Sequence, residues 1–258
     1  MYTIKQLISG TLIVAVSVLS QPKNVIAQSV TKGVKNIVLV HGAFADGSCW
    51  AKVISQLHAK GYNVIAVQNP LTSLKDDAAA TKRAIDQVDG PVLLVAHSFG
   101  GIVMSEVGSD PKVAGLLYVA AIVPEEGQSA NAVNASMPTT GIEKKFLISQ
   151  DGFVSLSAKA VNENFAPDVS PEERKLIFAT QVPLAASAGE EKVLNPAWKT
   201  KKSWFIVAKK DAVINPDLER FKAKLIKATT IELNSSHVPM ISQPNKVTAF
   251  IISAAESL

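Results

Sequence analysis

Short, largely apolar runs alternate along the chain with segments whose apolar residues recur at helical spacing. Six runs rich in valine, isoleucine and leucine are predicted strands: 35–40, 62–67, 92–96, 113–120, 203–208 and 229–233. Apolar runs without strict alternation are typical of parallel strands that are covered on both faces. The pattern therefore predicts an α/β fold, with a mostly parallel sheet of about six strands and helices on both faces.

The alternation stops between residues 124 and 200. Within this region, 146–148 and 153–154 flank Asp151-Gly152, a pair that favours a hairpin turn. Ser170, Pro171 and Glu173 are the N-cap, first and third residues of a predicted helix. An insertion of this kind into an α/β sheet is most simply a cap, and we expect residues 124–200 to form one.

The N-terminal segment has the pattern of a secretory signal peptide. Lys5 precedes a mostly apolar, uncharged run over 7–19, and 25–27 carry residues tolerated before a cleavage site. A membrane anchor is the alternative, but a spanning helix needs about 20 apolar residues. We expect cleavage after Ala27, export of the protein, and a single α/β domain over 28–258 that includes the insertion.

Composition and charge indicate a globular protein without a nucleic-acid partner. The chain has 258 residues, 47% of them hydrophobic, which is enough for one large globular domain. The formal net charge is +4, and loss of Lys5 and Lys23 with the signal peptide would lower it to about +2. No aromatic-interleaved basic stripe or nucleic-acid motif accompanies the local cluster of lysines over 199–210, so we expect a solvated surface and no nucleic-acid partner.

The run over 92–96 leads into a turn that contains one serine. Ser98 follows Ala96 and His97, and Phe99 and Gly100 lead into a helical pattern. A strand, a tight turn with serine at its corner and a helix are the setting of a nucleophile elbow. The residues two before and two after the serine must be small, and Ala96 stands where glycine is usual. Ser98 is the candidate nucleophile, because a serine hydroxyl must stand clear of the sheet and meet a base.

Two further polar residues follow predicted strands of the second half. Asp211 comes after 203–208 and His237 after 229–233. The carboxyl ends of parallel strands form one edge of an open sheet, where active sites assemble. The order serine, acid, histidine is that of an α/β-hydrolase triad, so we expect Ser98, Asp211 and His237 to be the catalytic residues.

Other histidines and acids are weaker candidates for this chemistry. We expect His41 to pack beneath the site, the side chain of His97 to point away from Ser98, and His58 to be exposed near a helix end. Asp217 and Glu219 lie in the helix after Asp211, where interaction with the helix end is the simpler interpretation.

Acyl transfer also needs hydrogen-bond donors for a developing oxyanion. The residue after the nucleophile and the loop after the first strand usually provide them. These positions make the backbone N–H groups of Phe99 and Ala43 the expected oxyanion hole.

These motifs together resemble the α/β-hydrolase superfamily. The resemblance rests on the run Val38 to Ala43, on Ala96 to Gly101, on Asp211 and on Ser236 to Met240, and it covers about residues 35–256. It is closest to the branch with plant methylesterases, hydroxynitrile lyases and exported bacterial homologues. The resemblance implies a serine hydrolase without a cofactor, with a small apolar pocket under a helical lid.

We therefore expect an esterase that cleaves a small carboxylic ester or lactone through an acyl-enzyme. The alternatives are a carbon–carbon lyase of the hydroxynitrile type and a ligand receptor on a hydrolase scaffold. Hydroxynitrile lyases of this branch carry threonine and lysine where this chain has Gly42 and Val238, which favours the esterase. The sequence has no P-loop, glycine-rich dinucleotide loop or HExxH motif, so no metal or cofactor is expected.

The signal peptide can be tested directly. N-terminal sequencing of the mature protein should begin at Gln28, give or take a few residues, because the segment before it has the charge and apolar run of a signal peptide. Recovery of the protein with Met1 intact and retained in the membrane would contradict this expectation.

Overall fold

A computed structural model of the chain describes residues 33–258. The predicted signal peptide over 1–27 lies outside these residues and stays a prediction. No helix within residues 33–258 is both long enough and apolar enough to cross a membrane.

The strands and helices of residues 33–258 follow one another along the whole segment. The strands are β1 (Asn36–Val40), β2 (Asn63–Ala66), β3 (Val92–Ser98), β4 (Val113–Ala121), β5 (Gln128–Ser129), β6 (Phe146–Ile148), β7 (Phe153–Leu156), β8 (Leu184–Ala185), β9 (Lys192–Val193), β10 (Lys202–Ala208) and β11 (Thr229–Leu233). The α-helices are α1 (Ala51–Ala59), α2 (Leu74–Asp86), α3 (Gly100–Val107), α4 (Ala130–Asn134), α5 (Ala158–Ala160), α6 (Pro171–Thr180), α7 (Pro216–Leu225), α8 (Pro239–Ser242) and α9 (Pro244–Glu256). A π-helical turn over Val161–Phe165 follows α5 directly.

Six parallel strands form the central sheet, in the order β11-β10-β4-β3-β1-β2. Each of the six predicted strands is present, and the predicted α/β class is confirmed. β1 and β3 are buried along their whole length, as expected for apolar strands with helices on both faces. Helix α1 packs against α9, and α2 packs against α3.

The register of the sheet brings the ends of its inner strands to one edge. Val40 at the end of β1 pairs with Ala96 of β3, and Ala96 pairs with Tyr118 of β4. On the far side of β4, Ile206 of β10 pairs with Val119. The loops that leave β1, β3 and β10 therefore start from the same edge of the sheet, where the candidate side chains were predicted.

Between β4 and β10 the chain forms small sheets and short helices instead of βα units. β6 and β7 form the predicted antiparallel hairpin, and β8 adds to its edge. Helix α6 begins with the predicted capping box: Ser170 accepts a hydrogen bond from the Glu173 backbone N–H, and the Glu173 side chain accepts one from the Ser170 N–H. The predicted local structures of the insertion are therefore present.

Helix α7 buries two charged side chains next to its buried apolar residue Leu218. Its apolar residues recur at helical spacing, yet Phe221 is 50% exposed while Glu219 and Lys222 are buried. The Lys222 Nζ lies 2.9 Å from Glu125 Oε1, which provides the charge partner that a buried lysine requires. Polar partners in neighbouring segments, rather than the apolar pattern alone, set the orientation of this helix.

Substitution of Gly100 by alanine tests how closely the strand ends are packed. Helix propensity alone would make this change stabilising by about 0.5–1 kcal/mol, since Gly100 begins α3. A Cβ there would lie 2.7 Å from the His41 carbonyl oxygen and 2.8 Å from that of Val40. Overlap with rigid backbone costs roughly 1–3 kcal/mol, so we expect Gly100→Ala to lower the free energy of unfolding measured by chemical denaturation.

The exposed first residue of α1 provides the matched control. Ala51→Gly reports the helix preference alone and should be destabilising by about 0.5–1 kcal/mol. A Gly100→Ala protein as stable as the wild type, or more stable, would show that the strand ends are not in close contact.

Candidate active site

The strand β3 ends at a residue with strained backbone geometry. Ser98 has a φ of 54°, in the left-handed region that residues other than glycine seldom occupy. The chain then turns at Phe99 and enters α3. The close approach of Gly100 to β1 requires a residue without a side chain there. Ala96 is fully buried between β1 and β4, and the sheet accommodates its methyl group.

The three residues predicted to form a triad lie in one hydrogen-bonded chain. The Ser98 Oγ is 2.8 Å from His237 Nε2, and His237 Nδ1 is 2.5 Å from Asp211 Oδ2. A carboxylate only accepts, so the proton of a neutral His237 is on Nδ1 and its Nε2 lone pair faces the Ser98 hydroxyl. This arrangement prepares the hydroxyl to lose its proton to the imidazole.

The Asp211 carboxylate is fixed by its own loop. Its Oδ1 accepts hydrogen bonds from the backbone N–H groups of Val213, at 2.7 Å, and Ile214, at 2.9 Å. The remaining oxygen, Oδ2, faces His237. Both Asp211 and His237 are buried, so their interaction is shielded from water.

His97 packs against the ring of His237, with 4.6 Å between centroids, and forms a hydrogen bond with its backbone. Its Nε2 donates to the His237 carbonyl oxygen at 2.8 Å, because a carbonyl can only accept. The buried Nδ1 of His97 has no hydrogen-bond partner within the described residues. Burial, together with the nearby His237, lowers the pKa of His97 well below its usual value. His97 therefore remains neutral, and its interaction with His237 is a structural one.

The insertion contacts the histidine loop through a carboxylate. Asp168 accepts hydrogen bonds from the backbone N–H of Ser236, at 2.8 Å, and from the Ser236 hydroxyl. The Phe165 ring packs edge-on against the His237 imidazole, with 5.2 Å between centroids. Neither Asp168 nor Phe165 could be predicted from the sequence. No local motif connects the insertion with a loop that follows about 70 positions later.

The two expected oxyanion donors lie beside Ser98. Ala43 and Phe99 line the same cavity as Ser98. A Cβ at Gly42 would lie 2.5 Å from the Ser98 Cβ and 3.2 Å from the Phe99 N, so the first loop closely approaches the elbow. The backbone–backbone hydrogen bonds of residues 33–258 include neither the Ala43 nor the Phe99 amide as a donor.

A cavity of about 680 Å³ opens above Ser98. Its walls come mainly from the insertion and from the loop after Asp211, and most of its lining side chains are apolar. Among the described residues that line the cavity, Glu143 is the single charged one. A cavity of this volume accommodates a neutral, largely apolar small molecule.

The weaker candidates take other roles. His41 is buried, accepts a hydrogen bond from the Asn69 N–H at Nε2, and donates from Nδ1 to the Gly42 carbonyl. His58 is exposed near the end of α1, and Asp217 pairs with Arg220 on the surface. The expectation for Glu219 is wrong: its side chain is 1% exposed and lies against Asp211 rather than at a solvated helix end.

The sequence of the chain is similar to known hydrolases over most of its length. The sequence model of the alpha/beta hydrolase family matches residues 37–250. "Probable hydrolase R7" of Phoma sp. is 26% identical over 241 residues, which cover 82% of this chain and 94% of the relative. Methyl jasmonate esterase 1 of Vitis vinifera is 25% identical over 258 residues, which cover 86% and 97%.

Solved structures agree with this assignment at the level of the fold. The crystal structure of polyneuridine aldehyde esterase superimposes with a TM-score of 0.75 at 19% identity and covers 86% of this chain and 99% of that chain. The family match, the esterase relatives and the six-stranded parallel sheet lead to one assignment. The chain is an enzyme of the alpha/beta hydrolase family, and its sequence is similar to those of plant methylesterases.

Proposed function

We propose that this protein is a serine carboxylesterase that cleaves an ester or lactone through an acyl-enzyme. The observation that carries the proposal is the hydrogen-bonded chain that runs from Ser98, which lines the cavity, through His237 to Asp211. The esterase relatives support the same class of reaction.

In the first half of the reaction, the Ser98 Oγ attacks the ester carbonyl carbon while His237 Nε2 takes the hydroxyl proton. The carbonyl oxygen becomes an oxyanion, which the N–H groups of Ala43 and Phe99 stabilise. His237 then returns the proton to the leaving alkoxide, and the alcohol departs from a serine-bound acyl group. Asp211 stabilises the imidazolium that exists between these two proton transfers.

Water completes the second half. His237 Nε2 accepts a proton from a water molecule whose oxygen attacks the acyl carbonyl. The tetrahedral intermediate collapses as the same proton passes to Ser98 Oγ, which releases the carboxylic acid and restores the enzyme. The Nδ1 proton of His237 remains hydrogen-bonded to Asp211 throughout.

The surroundings of the cavity favour ester hydrolysis over cyanohydrin cleavage. Elimination of cyanide produces an anion, and a lysine beside the histidine would stabilise it. Val238, which is buried, occupies the position after His237, and no lysine or arginine is among the described residues that line the cavity. Positive charge arises there only on His237 when it is protonated, and this suits acyl transfer.

Ser98→Ala should remove nearly all ester hydrolysis and all labelling by a fluorophosphonate, because no hydroxyl remains to form the acyl-enzyme. The measurement is turnover of a short chromogenic aryl ester, with circular dichroism to establish that the variant is folded. Ser149→Ala, in the exposed turn after β6, is the matched control and should retain full activity. Activity of Ser98→Ala above about a thousandth of wild type would require another nucleophile.

A parallel assay separates the alternatives to an esterase. Wild-type protein is given mandelonitrile and the aryl ester side by side, with burst kinetics recorded for the ester. Rapid, Ser98-dependent release of cyanide without ester turnover would identify a lyase. Stoichiometric binding of either compound, without release of cyanide and without hydrolysis of the ester, would identify a receptor.

Asp211→Asn should lower kcat by several orders of magnitude, with about 10⁴ observed in the best-studied serine triad. The amide can donate to His237 Nδ1, which favours the tautomer that cannot accept the Ser98 proton. Asp217→Asn, at an exposed position of the following helix, is the control and should have little effect. A small loss at Asp211 combined with a large loss at Asp217 would move the acid to Asp217.

A further inference from the structure

A second buried carboxyl group lies behind Asp211. Glu219, in the first turns of α7, is 1% exposed, and its Oε2 accepts a hydrogen bond from the Ala208 N–H at 3.0 Å. Ala208 ends β10, and its carbonyl oxygen accepts from the Asp211 N–H at 3.1 Å. Both buried carboxyl groups are thus tied to the backbone of Ala208, and the interaction between them is among the causes that raise the pKa of Glu219. One strand end therefore fixes both carboxyl groups side by side.

One oxygen atom of the two carboxyl groups has no hydrogen-bond donor among the described residues. Asp211 accepts from two backbone N–H groups at Oδ1 and from His237 at Oδ2. A carboxylate has room for about four donors, so Asp211 can accept one more. Glu219 Oε1 is buried and has no donor to accept from within residues 33–258. Two carboxylates cannot hydrogen-bond to each other unless one of them carries a proton.

We propose that Glu219 carries a proton on Oε1 and donates it in a hydrogen bond to Asp211. Glu219 is then a fourth member of the chain that runs from Ser98 through His237 to Asp211. It acts as a positioning residue, because it touches neither the substrate nor the reacting atoms. This role rests on the function proposed above, whereas the protonation of Glu219 does not.

Burial and the negative charge of Asp211 favour the neutral form of Glu219, whereas Arg220 favours the ionised form. Asp211 faces it from the loop after β10, and His237 lies beyond Asp211. Arg220 of the same helix is exposed and pairs with Glu232 and Asp217. Burial, followed by the negative charge of Asp211, raises the pKa of Glu219 well above its usual value.

A neutral Glu219 benefits the reaction in two ways. Its O–H holds the Asp211 carboxylate in place from the side opposite His237. It also keeps the pair at a single negative charge. A second negative charge there would stabilise the imidazolium form of His237 in the resting enzyme, whose Nε2 would have no free lone pair to accept the Ser98 proton.

Glu219→Gln provides the sharpest test, since glutamine keeps the shape and both hydrogen bonds. Its carbonyl oxygen can accept from the Ala208 N–H, and its amide can donate to Asp211. We expect kcat within about twofold of wild type and an unchanged acidic limb of kcat/KM, which reports groups of the free enzyme. If Glu219 were ionised, loss of its charge would move that limb down by about one pH unit or more, and the proposal would be wrong.

Glu219→Leu removes the donor to Asp211 and the acceptor for Ala208. We expect kcat to fall by about 10- to 100-fold, the scale for a small misplacement of catalytic groups, with KM little changed and Ser98 labelling slowed to match. Wild-type kcat in a folded Glu219→Leu protein would overturn the positioning role.

Infrared spectroscopy tests the proton without any assay of activity. At about pH 9, wild-type protein should show the C=O stretch of a protonated carboxyl group that Glu219→Gln lacks. Asp77→Asn is the matched control: burial raises the pKa of Asp77 to about 7, so this carboxyl should be ionised at that pH and contribute no band. Absence of the Glu219 band would overturn the proposal. If the band is present in a wild-type protein that does not hydrolyse esters, the esterase proposal fails while the protonation stands.

Discussion

The left-handed backbone of Ser98 is the constraint on which the rest of the site depends. A serine at the end of β3 can expose its hydroxyl only if the chain turns sharply there, and that turn brings neighbouring backbones into close contact. At Gly42 and at Gly100, the contact leaves no room for a side chain. The same closeness places the Ala43 and Phe99 amides beside Ser98. Strain at one residue and close packing at two glycines are therefore parts of one arrangement.

The buried polar groups near Ser98 are arranged to carry little net charge. His41 and His97 each have a proton assigned by a backbone partner, and burial lowers the pKa of both. A cation on His97 would repel the imidazolium that forms on His237 in the proposed reaction, because the two rings lie only 4.6 Å apart. Neutral histidines fix the backbone without this effect. Among these groups, charge is thus confined to Asp211 and His237, where proton transfer serves the proposed reaction.

The features of the structure that depend on local sequence patterns and on the ends of strands could be predicted from the sequence. The six strands, the hairpin around Asp151, the capping box at Ser170 and the approach of Ser98, Asp211 and His237 all follow from such patterns. Burial of Glu219 does not, because the apolar spacing of α7 predicts burial of Leu218 and gives no reason for a buried glutamate next to it. A glutamate is buried only when it has a partner or a proton, and its partner Asp211 is apparent only from the folded loop.

The insertion contributes to the site in two physically different ways. One part, with Phe146, Val154 and Leu184, provides apolar walls of the cavity. Another part holds the histidine loop through Asp168 and packs Phe165 against His237. Wall residues can vary with the shape of a substrate at little cost to the hydrogen-bonded chain. Asp168 and Phe165 cannot vary as freely, because they help to position His237 whatever the substrate is.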